Sequence, residues 1–90
     1  MACLELRYVA HIYVLTGRLK ESYETSATTV EELLHELDGK YPGFFSVFAD
    51  LPAARLKLNA MIYYGEPGRV PTPVLDLQHP IRDGATLTFW

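Results

Sequence analysis

Two residues of the segment 28–40 have the spacing of a metal-binding pair. Glu32 and His35 are three positions apart, so a helix would place the carboxylate and the imidazole on one face. Carboxylate-bridged iron proteins use this Glu-x-x-His spacing, but they need matching side chains from other helices of a bundle. Because the sequence predicts only one long helix, we interpret the pair as part of a solvated polar face.

The other residues that could do chemistry form no recognisable constellation. Cys3 is the only cysteine, so the chain can form neither an internal disulfide nor a thiolate metal cluster. His11 and His79 stand far apart in the sequence. The tetrapeptide 65–68, Gly-Glu-Pro-Gly, is not a P-loop, because neither a lysine nor a helix follows it. The residues therefore predict no catalytic residue, no metal site, no cofactor and no enzymatic activity of the chain itself.

Composition limits the class of protein. Ninety residues make a single domain, and a hydrophobic content of 49% is too high for a disordered chain. The formal charge of -3 argues against a nucleic-acid partner, which would require a basic surface. No apolar run approaches the roughly 18 residues of a membrane span, and no signal-peptide cleavage site follows the first apolar segment. We expect a cytoplasmic protein that binds neither nucleic acid nor membrane.

Strand periodicity marks the beginning of the chain. Apolar residues alternate with polar ones over 4–9, which predicts a strand with one buried face, and the apolar run up to Leu15 is expected to extend or bend it. After Gly17, Leu19 and Tyr23 are expected on the apolar side of a weaker second strand. Glu21 interrupts that side, so this strand should lie at an edge, in a hairpin with the first.

Helical periodicity follows in the next segment. The apolar positions with i, i+3, i+4, i+7 spacing are Val30, Leu33, Leu34 and Leu37. They predict a helix from about 29 to 39, with Thr28 or Thr29 as the N-cap and Glu31 or Glu32 as its capping-box partner. Gly39 is the predicted end of this helix.

The second half of the chain is predicted to return to the sheet. The segment 44–51 is aromatic but irregular, and it is expected to pack under the sheet. A strand is expected over 56–63, a Pro- and Gly-rich loop over 65–73, and the last strand over 86–90. The residues expected to face inward on these two strands are Leu56, Leu58, Ala60, Ile62, Leu87 and Phe89.

One helix must then cover one face of a mixed sheet, because no other element is long enough. We predict an α+β protein with a β-grasp (ubiquitin-like) fold, formed by residues 1–90 as a single domain. Strands 4–9 and 86–89 should be adjacent and parallel, with the helix packed across them.

Four segments resemble the ubiquitin-like sulfur carriers. These segments are YVAHIYVLTG, TTVEELLHELDGKYPGF, RLKLNAMIYY and LDLQHPIRDGATLTFW. The resemblance is closest to the small subunit of molybdopterin synthase (MoaD type) and more distant to the thiamine sulfur carrier (ThiS type). It implies a carrier in molybdenum cofactor (molybdopterin) biosynthesis, with a larger catalytic subunit and an adenylating activating enzyme as partners.

The sequence departs from the resembled family at three points. The loop 65–73 looks longer than usual, and Ala85 stands where an acidic residue is common. Family members continue into a flexible tail that ends in Gly-Gly, whose carboxylate becomes a thiocarboxylate, whereas the 90-residue sequence ends at Trp90. As it stands, we expect that it cannot be activated in this way. Three explanations are open: the given sequence lacks the tail, the protein is a relative that kept the fold and lost the carrier role, or the resemblance misleads about function.

Four residues are expected on the outer face of the sheet. They are Met61, Tyr63, Thr88 and Trp90. Isolated apolar residues are common on protein surfaces, but clustered Met, Tyr and Trp are typical of protein interfaces. In the resembled family this face docks a larger catalytic subunit. The sequence thus predicts a partner-binding face here, both for a carrier and for the alternative, a non-carrier β-grasp subunit that docks on a larger enzyme.

Overall fold

The computed structural model describes residues 1–50, 55–56 and 61–90. It contains seven strands and three helices in these ranges. The strands are β1 (Ala2–Tyr8), β2 (Lys20–Thr25), β3 (Ala49–Asp50), β4 (Arg55–Leu56), β5 (Ile62–Gly65), β6 (Thr72–Pro73) and β7 (Thr86–Phe89). The helices are α1 (His11–Thr16), α2 (Val30–Lys40) and α3 (Phe44–Phe48). None of the helices in the described ranges is long and apolar enough to cross a membrane.

Five of the strands form one mixed sheet in the order β2-β1-β7-β5-β6. β1 and β7 run parallel at its centre, with Glu5 opposite Thr86 and Tyr8 opposite Phe89. β2 is antiparallel to β1 and lies at the edge. The parallel pairing of the first and last strands and the edge position of β2 are therefore confirmed, and the architecture is the predicted β-grasp.

The long helix α2 begins as the sequence predicted. The Oγ1 of Thr29 accepts a hydrogen bond from the Glu32 amide at 3.3 Å, and the Glu32 carboxylate accepts one from the Thr28 amide at 2.7 Å. The face that α2 turns to the sheet is fully buried at Val30, Leu33, Leu34 and Leu37.

The predicted end of α2 at Gly39 is wrong by one residue, because the helix includes Gly39 and ends at Lys40. Tyr41 follows in an extended conformation and packs its ring on that of Tyr8, at 5.9 Å between centroids. The chain then turns at Gly43, whose φ of 94° is in the left-handed region.

Three short elements differ from the sequence expectations. The apolar residues after β1 form α1, which buries Ile12, whereas the sequence predicted that the strand would extend or bend. Leu19 is 63% exposed and lies outside β2, so its expected inward orientation is wrong. The expected loop 65–73 contains the short strand β6, which pairs with β5.

The core lies between the sheet and the helices and is centred on aromatic side chains. Phe89 of β7 packs on Tyr8 at 5.8 Å, on Phe44 at 5.2 Å and on Phe48 at 5.4 Å between ring centroids. The aromatic segment therefore packs under the sheet as expected, although residues 44–48 do so as the regular helix α3. The predicted burial of Leu51 concerns a residue outside the described ranges.

The strand predicted over 56–63 is only partly described. Ile62 is buried in β5 as predicted, and Leu56 is half-buried in the separate antiparallel pair of β3 and β4. The predictions for Leu58 and Ala60 fall outside the described ranges. In β7, Leu87 and Phe89 face inward as predicted.

Candidate docking face on the outer side of the sheet

The register of β5 and β7 brings the predicted partner-binding residues together. Tyr63 lies directly opposite Thr88 in this antiparallel pair. The Trp90 amide donates a hydrogen bond to the Met61 carbonyl at 2.9 Å, which continues the same register by one more pair. The four residues thus form two neighbouring cross-strand pairs on the outer face, where side chains of such pairs touch.

The exposure of these side chains follows from the alternation of the strands. Because Ile62 and Phe89 point into the core, the residues on either side of them must point outward. Met61 is 46% exposed and Trp90 is 47% exposed, while Tyr63 and Thr88 are half-buried. Together they line a shallow, mainly apolar depression of about 530 Å³.

Pro71 also lines the depression, and sequence reasoning did not identify it. The loop after β5 folds back against the strand, so that Pro71 lies beside Gly65. A Cβ added at Gly65 would meet the Pro71 Cγ at 3.3 Å, a tight contact that explains why glycine suits this position. The only signal in the sequence was the Pro- and Gly-rich composition of 65–73, which is typical of a loop that turns.

The other half of the outer face is charged. On β1, Glu5 and Arg7 form an ion pair at 3.1 Å, and the outward side chains of β2 include Lys20 and Glu24. The outer face is therefore divided into an apolar half around β5 and β7 and a polar half on β1 and β2. Because the two halves differ in polarity, a partner with a complementary surface could dock on this face in only one orientation.

A buried carboxylate fixes the edge of the sheet beneath the polar half. The Glu21 carboxylate accepts hydrogen bonds from the hydroxyls of Tyr8 at 2.6 Å and Tyr41 at 2.8 Å, and from the Lys40 ammonium at 2.6 Å. Burial alone would raise the pKa of Glu21, but the hydrogen bonds from Lys40, Tyr8 and Tyr41 outweigh it and lower the pKa below its ordinary value. Burial, followed by the bond to Glu21, raises the pKa of Tyr8 far above its ordinary value. The cluster ties β2 to the end of α2.

Glu32 and His35, which have the spacing of a metal-binding pair, do not converge on a site. Glu32 is engaged in the cap of α2, and the His35 ring stacks on Phe45 at 4.2 Å between centroids. Within the described ranges, no group of three or more potential metal ligands is arranged to bind an ion.

Solved structures share this fold over nearly the whole chain. The solution structure of the Haloferax volcanii protein HVO 2177 matches with a TM-score of 0.74 and 22% identity, over 98% of this chain and 80% of that one. A Pyrococcus furiosus protein described as molybdopterin converting factor, subunit 1, matches with a TM-score of 0.69 and 17% identity, over 99% and 95% of the two chains. The small archaeal modifier protein 1 of H. volcanii matches with a TM-score of 0.69 and 18% identity, over 99% and 95%.

No protein-family model and no curated protein matches the sequence. The solved structures therefore establish the β-grasp, ubiquitin-like fold of the chain, since at these identities the likeness lies in the backbone and not in shared site residues. The partner-binding role of the outer face remains a prediction.

Proposed function

We propose that the protein is a ubiquitin-like carrier or modifier that acts in the cytoplasm by docking on a larger enzyme through the apolar half of its outer sheet face. The observation that carries this proposal is the contiguous set Met61, Tyr63, Thr88 and Trp90, joined by Pro71. A small domain that already buries its core on the inner face of the sheet has no need for a second apolar cluster on the outer face. Such clusters typically mark protein-binding sites.

The residue types support a protein partner over a small molecule. The depression is shallow, whereas sites for small organic ligands are usually concave enough to bury most of the ligand. Trp and Tyr are enriched among the residues that dominate binding energy at interfaces, and Met adapts its shape to a partner. Burial of this apolar surface would contribute roughly 25 cal/mol per Å² to association.

The finer proposal is a sulfur carrier in molybdopterin biosynthesis. It is supported by the sequence resemblance to the MoaD type and by a structural neighbour described as a molybdopterin converting factor subunit. A second neighbour is described as a small archaeal modifier protein, so attachment to other proteins is the competing role within the same fold. The partners proposed for the carrier role are a larger catalytic subunit and an adenylating activating enzyme.

The docking proposal is tested by substitution on the face. Met61→Asp places a charge in the apolar depression and should weaken binding to the larger catalytic subunit of molybdopterin synthase, measured by calorimetry, by at least tenfold. Leu75→Asp is the matched control, because Leu75 is 83% exposed and lies away from the face. Equal binding by Met61→Asp and the control variant would remove the case for this face.

The carrier role is tested separately from docking. The protein isolated from its own organism is incubated with its activating enzyme, ATP and a sulfur donor, and its intact mass is measured. The carrier role is supported by a Gly-Gly C-terminus together with a mass increase that matches the replacement of one carboxylate oxygen by sulfur. A native protein with neither Gly-Gly nor mass gain, but with docking that Met61→Asp abolishes, would show instead a non-carrier interaction subunit.

A further inference from the structure

A second cavity, of about 690 Å³, lies at the other side of the loop after β5 and is not used by the proposed docking face. Its lining is polar and combines the loop with the segment that precedes β7. The lining residues are Tyr64, Glu66, Arg69, Val70, Thr72, His79, Pro80 and Arg82.

One wall of the cavity is a β-turn of fixed geometry. The Arg69 amide donates to the Glu66 carbonyl at 3.0 Å, with Pro67 and Gly68 between them. Gly68 has a φ of 78°, so the turn has the Pro-Gly pattern of type II. Glu66 and Arg69 are therefore held at the two ends of a turn whose conformation Pro67 and Gly68 impose before any ligand binds.

The opposite wall is fixed to the N-terminus of α2. The Val30 amide donates to the His79 carbonyl at 3.0 Å, and the Ile81 amide donates to the Thr28 carbonyl at 2.9 Å. Next to them, the Arg82 amide donates to the Tyr64 hydroxyl at 3.0 Å. These backbone contacts hold His79 and Arg82 at the cavity without using either side chain.

The net charge of the lining is opposite in sign to the net charge of the whole chain. Two arginines face one glutamate in the cavity, whereas the chain has a formal charge of -3. Arg82 approaches Glu66 only through its Nε, at 4.0 Å, and Glu66 also accepts a hydrogen bond from the Tyr64 hydroxyl at 3.1 Å. Within the described ranges, neither the terminal nitrogens of Arg82 nor the Arg69 guanidinium forms a hydrogen bond or an ion pair.

The donors of the cavity point to an oxyanion with several terminal oxygens. A carboxylate is satisfied by a single guanidinium fork, while a phosphate group has enough oxygens for donors from two walls. Arg69 on the loop and Arg82 on the opposite wall supply such donors, and the Thr72 hydroxyl can add another. The cavity is also larger than a bare phosphate group requires, which leaves room for the molecule that bears it.

We propose that this cavity, between the 66–69 turn and the segment 79–82, binds the phosphate group of a small phosphate monoester through Arg69 and Arg82. The site differs from a P-loop, which holds phosphate with backbone amides and a lysine. It also goes beyond the sequence expectation of no cofactor, because the two arginines stand thirteen positions apart and only the fold brings them together. Glu66 opposes the anion and limits its affinity, so millimolar binding of inorganic phosphate is expected.

The test is a titration of the isotopically labelled chain with inorganic phosphate at constant pH and ionic strength. Binding is monitored through the amide chemical shifts in NMR spectra. Saturable shifts are expected within 66–72 and 79–82. Arg69→Gln and Arg82→Gln should each weaken binding about tenfold or more, because each loses a charge-assisted hydrogen bond. Glu66→Gln should tighten binding, since it removes the opposing charge while its amide oxygen can still accept from Tyr64.

Arg18→Gln is the matched control, because Arg18 pairs with Glu21 near the opposite edge of the sheet. It should bind phosphate as the unmodified chain does. A parallel titration with acetate separates phosphate recognition from general attraction of carboxylates. Shifts that do not saturate, equal affinity for acetate, or unchanged affinity in both cavity arginine variants would each overturn the proposal.

Discussion

The buried carboxylate of Glu21 provides the sharpest test of how the sheet edge is held. Its side chain is 6% exposed and accepts hydrogen bonds from Tyr8, Tyr41 and Lys40, which belong to β1 and to the end of α2. Glu21→Gln keeps the size of the side chain and one acceptor oxygen. The substitution removes the negative charge. It can also place the amide NH2 group opposite the Lys40 ammonium, so that two donors face each other.

The expected loss is about 1.5–3 kcal/mol of unfolding free energy at neutral pH, because a charged acceptor strengthens each buried hydrogen bond by about 1 kcal/mol or slightly more and two such bonds are affected. Most of it should come from the two tyrosine hydroxyls, at 2.6 Å and 2.8 Å. The ion pair with Lys40 should add little, because that side chain is 41% exposed and water screens it. For a domain of this size, each kcal/mol lowers the melting temperature by roughly 4–8 °C.

The loss should depend on pH in one direction. Because folding lowers the pKa of Glu21 below its ordinary value of 4.5, its contribution is complete above that value and disappears as the pH falls through the lower, folded-state pKa. The difference between Glu21→Gln and the unmodified chain should therefore be largest near neutrality and shrink in acid.

Denaturant unfolding of both chains from about pH 7 down to about pH 3 measures this difference directly. Glu24→Gln is the control, because Glu24 lies on the same strand but is exposed on the outer face. A Glu21→Gln penalty that stays constant across the range, or one no larger than that of the control, would refute the charged role of Glu21.

Two further predictions concern stability. Leu34 is fully buried on the inner face of α2, so Leu34→Ala should cost about 2–5 kcal/mol, measured as a lower denaturant midpoint. Burial, with the hydrogen bond to Glu36 as the next cause, raises the pKa of Tyr23 to about 12. The neutral hydroxyl is thus favoured by folding, and its stabilising contribution should be lost as the pH rises from about 10 towards 12. Over this range the denaturant midpoint should fall less steeply in Tyr23→Phe than in the unmodified chain, with the remaining fall due to Tyr8, Tyr41 and Tyr64, whose pKa values burial also raises.

The regular elements were predictable because local periodicity determines them. The spacing of Val30, Leu33, Leu34 and Leu37 specified the buried face of α2, and alternation in β1 and β7 specified which residues face outward. The parallel pairing of these two strands then followed from the need to cover one sheet with one helix. For the same reason, the positions of Met61, Tyr63, Thr88 and Trp90 on one face were accessible from the sequence.

What could not be predicted depends on contacts between distant segments. Glu21 looked like an interruption of an apolar strand face, because three of its four partners, Tyr8, Lys40 and Tyr41, lie 13 to 20 positions away. The apolar run after β1 had neither strand nor helix period, since α1 buries only Ile12 of its six residues.

The fold itself cannot determine what distinguishes this chain from its structural neighbours, since proteins with 17% to 22% identity share it. Specificity must then come from residues that the fold leaves free, which are the outward side chains and the loop between β5 and β6. That loop contributes Pro71 to the candidate docking face and the 66–69 turn to the cavity proposed to bind phosphate. Because Gly65 lies against Pro71 and a hydrogen bond to Glu66 closes the turn at Arg69, one segment shapes both surfaces, and its sequence is where differences in partner or ligand should arise.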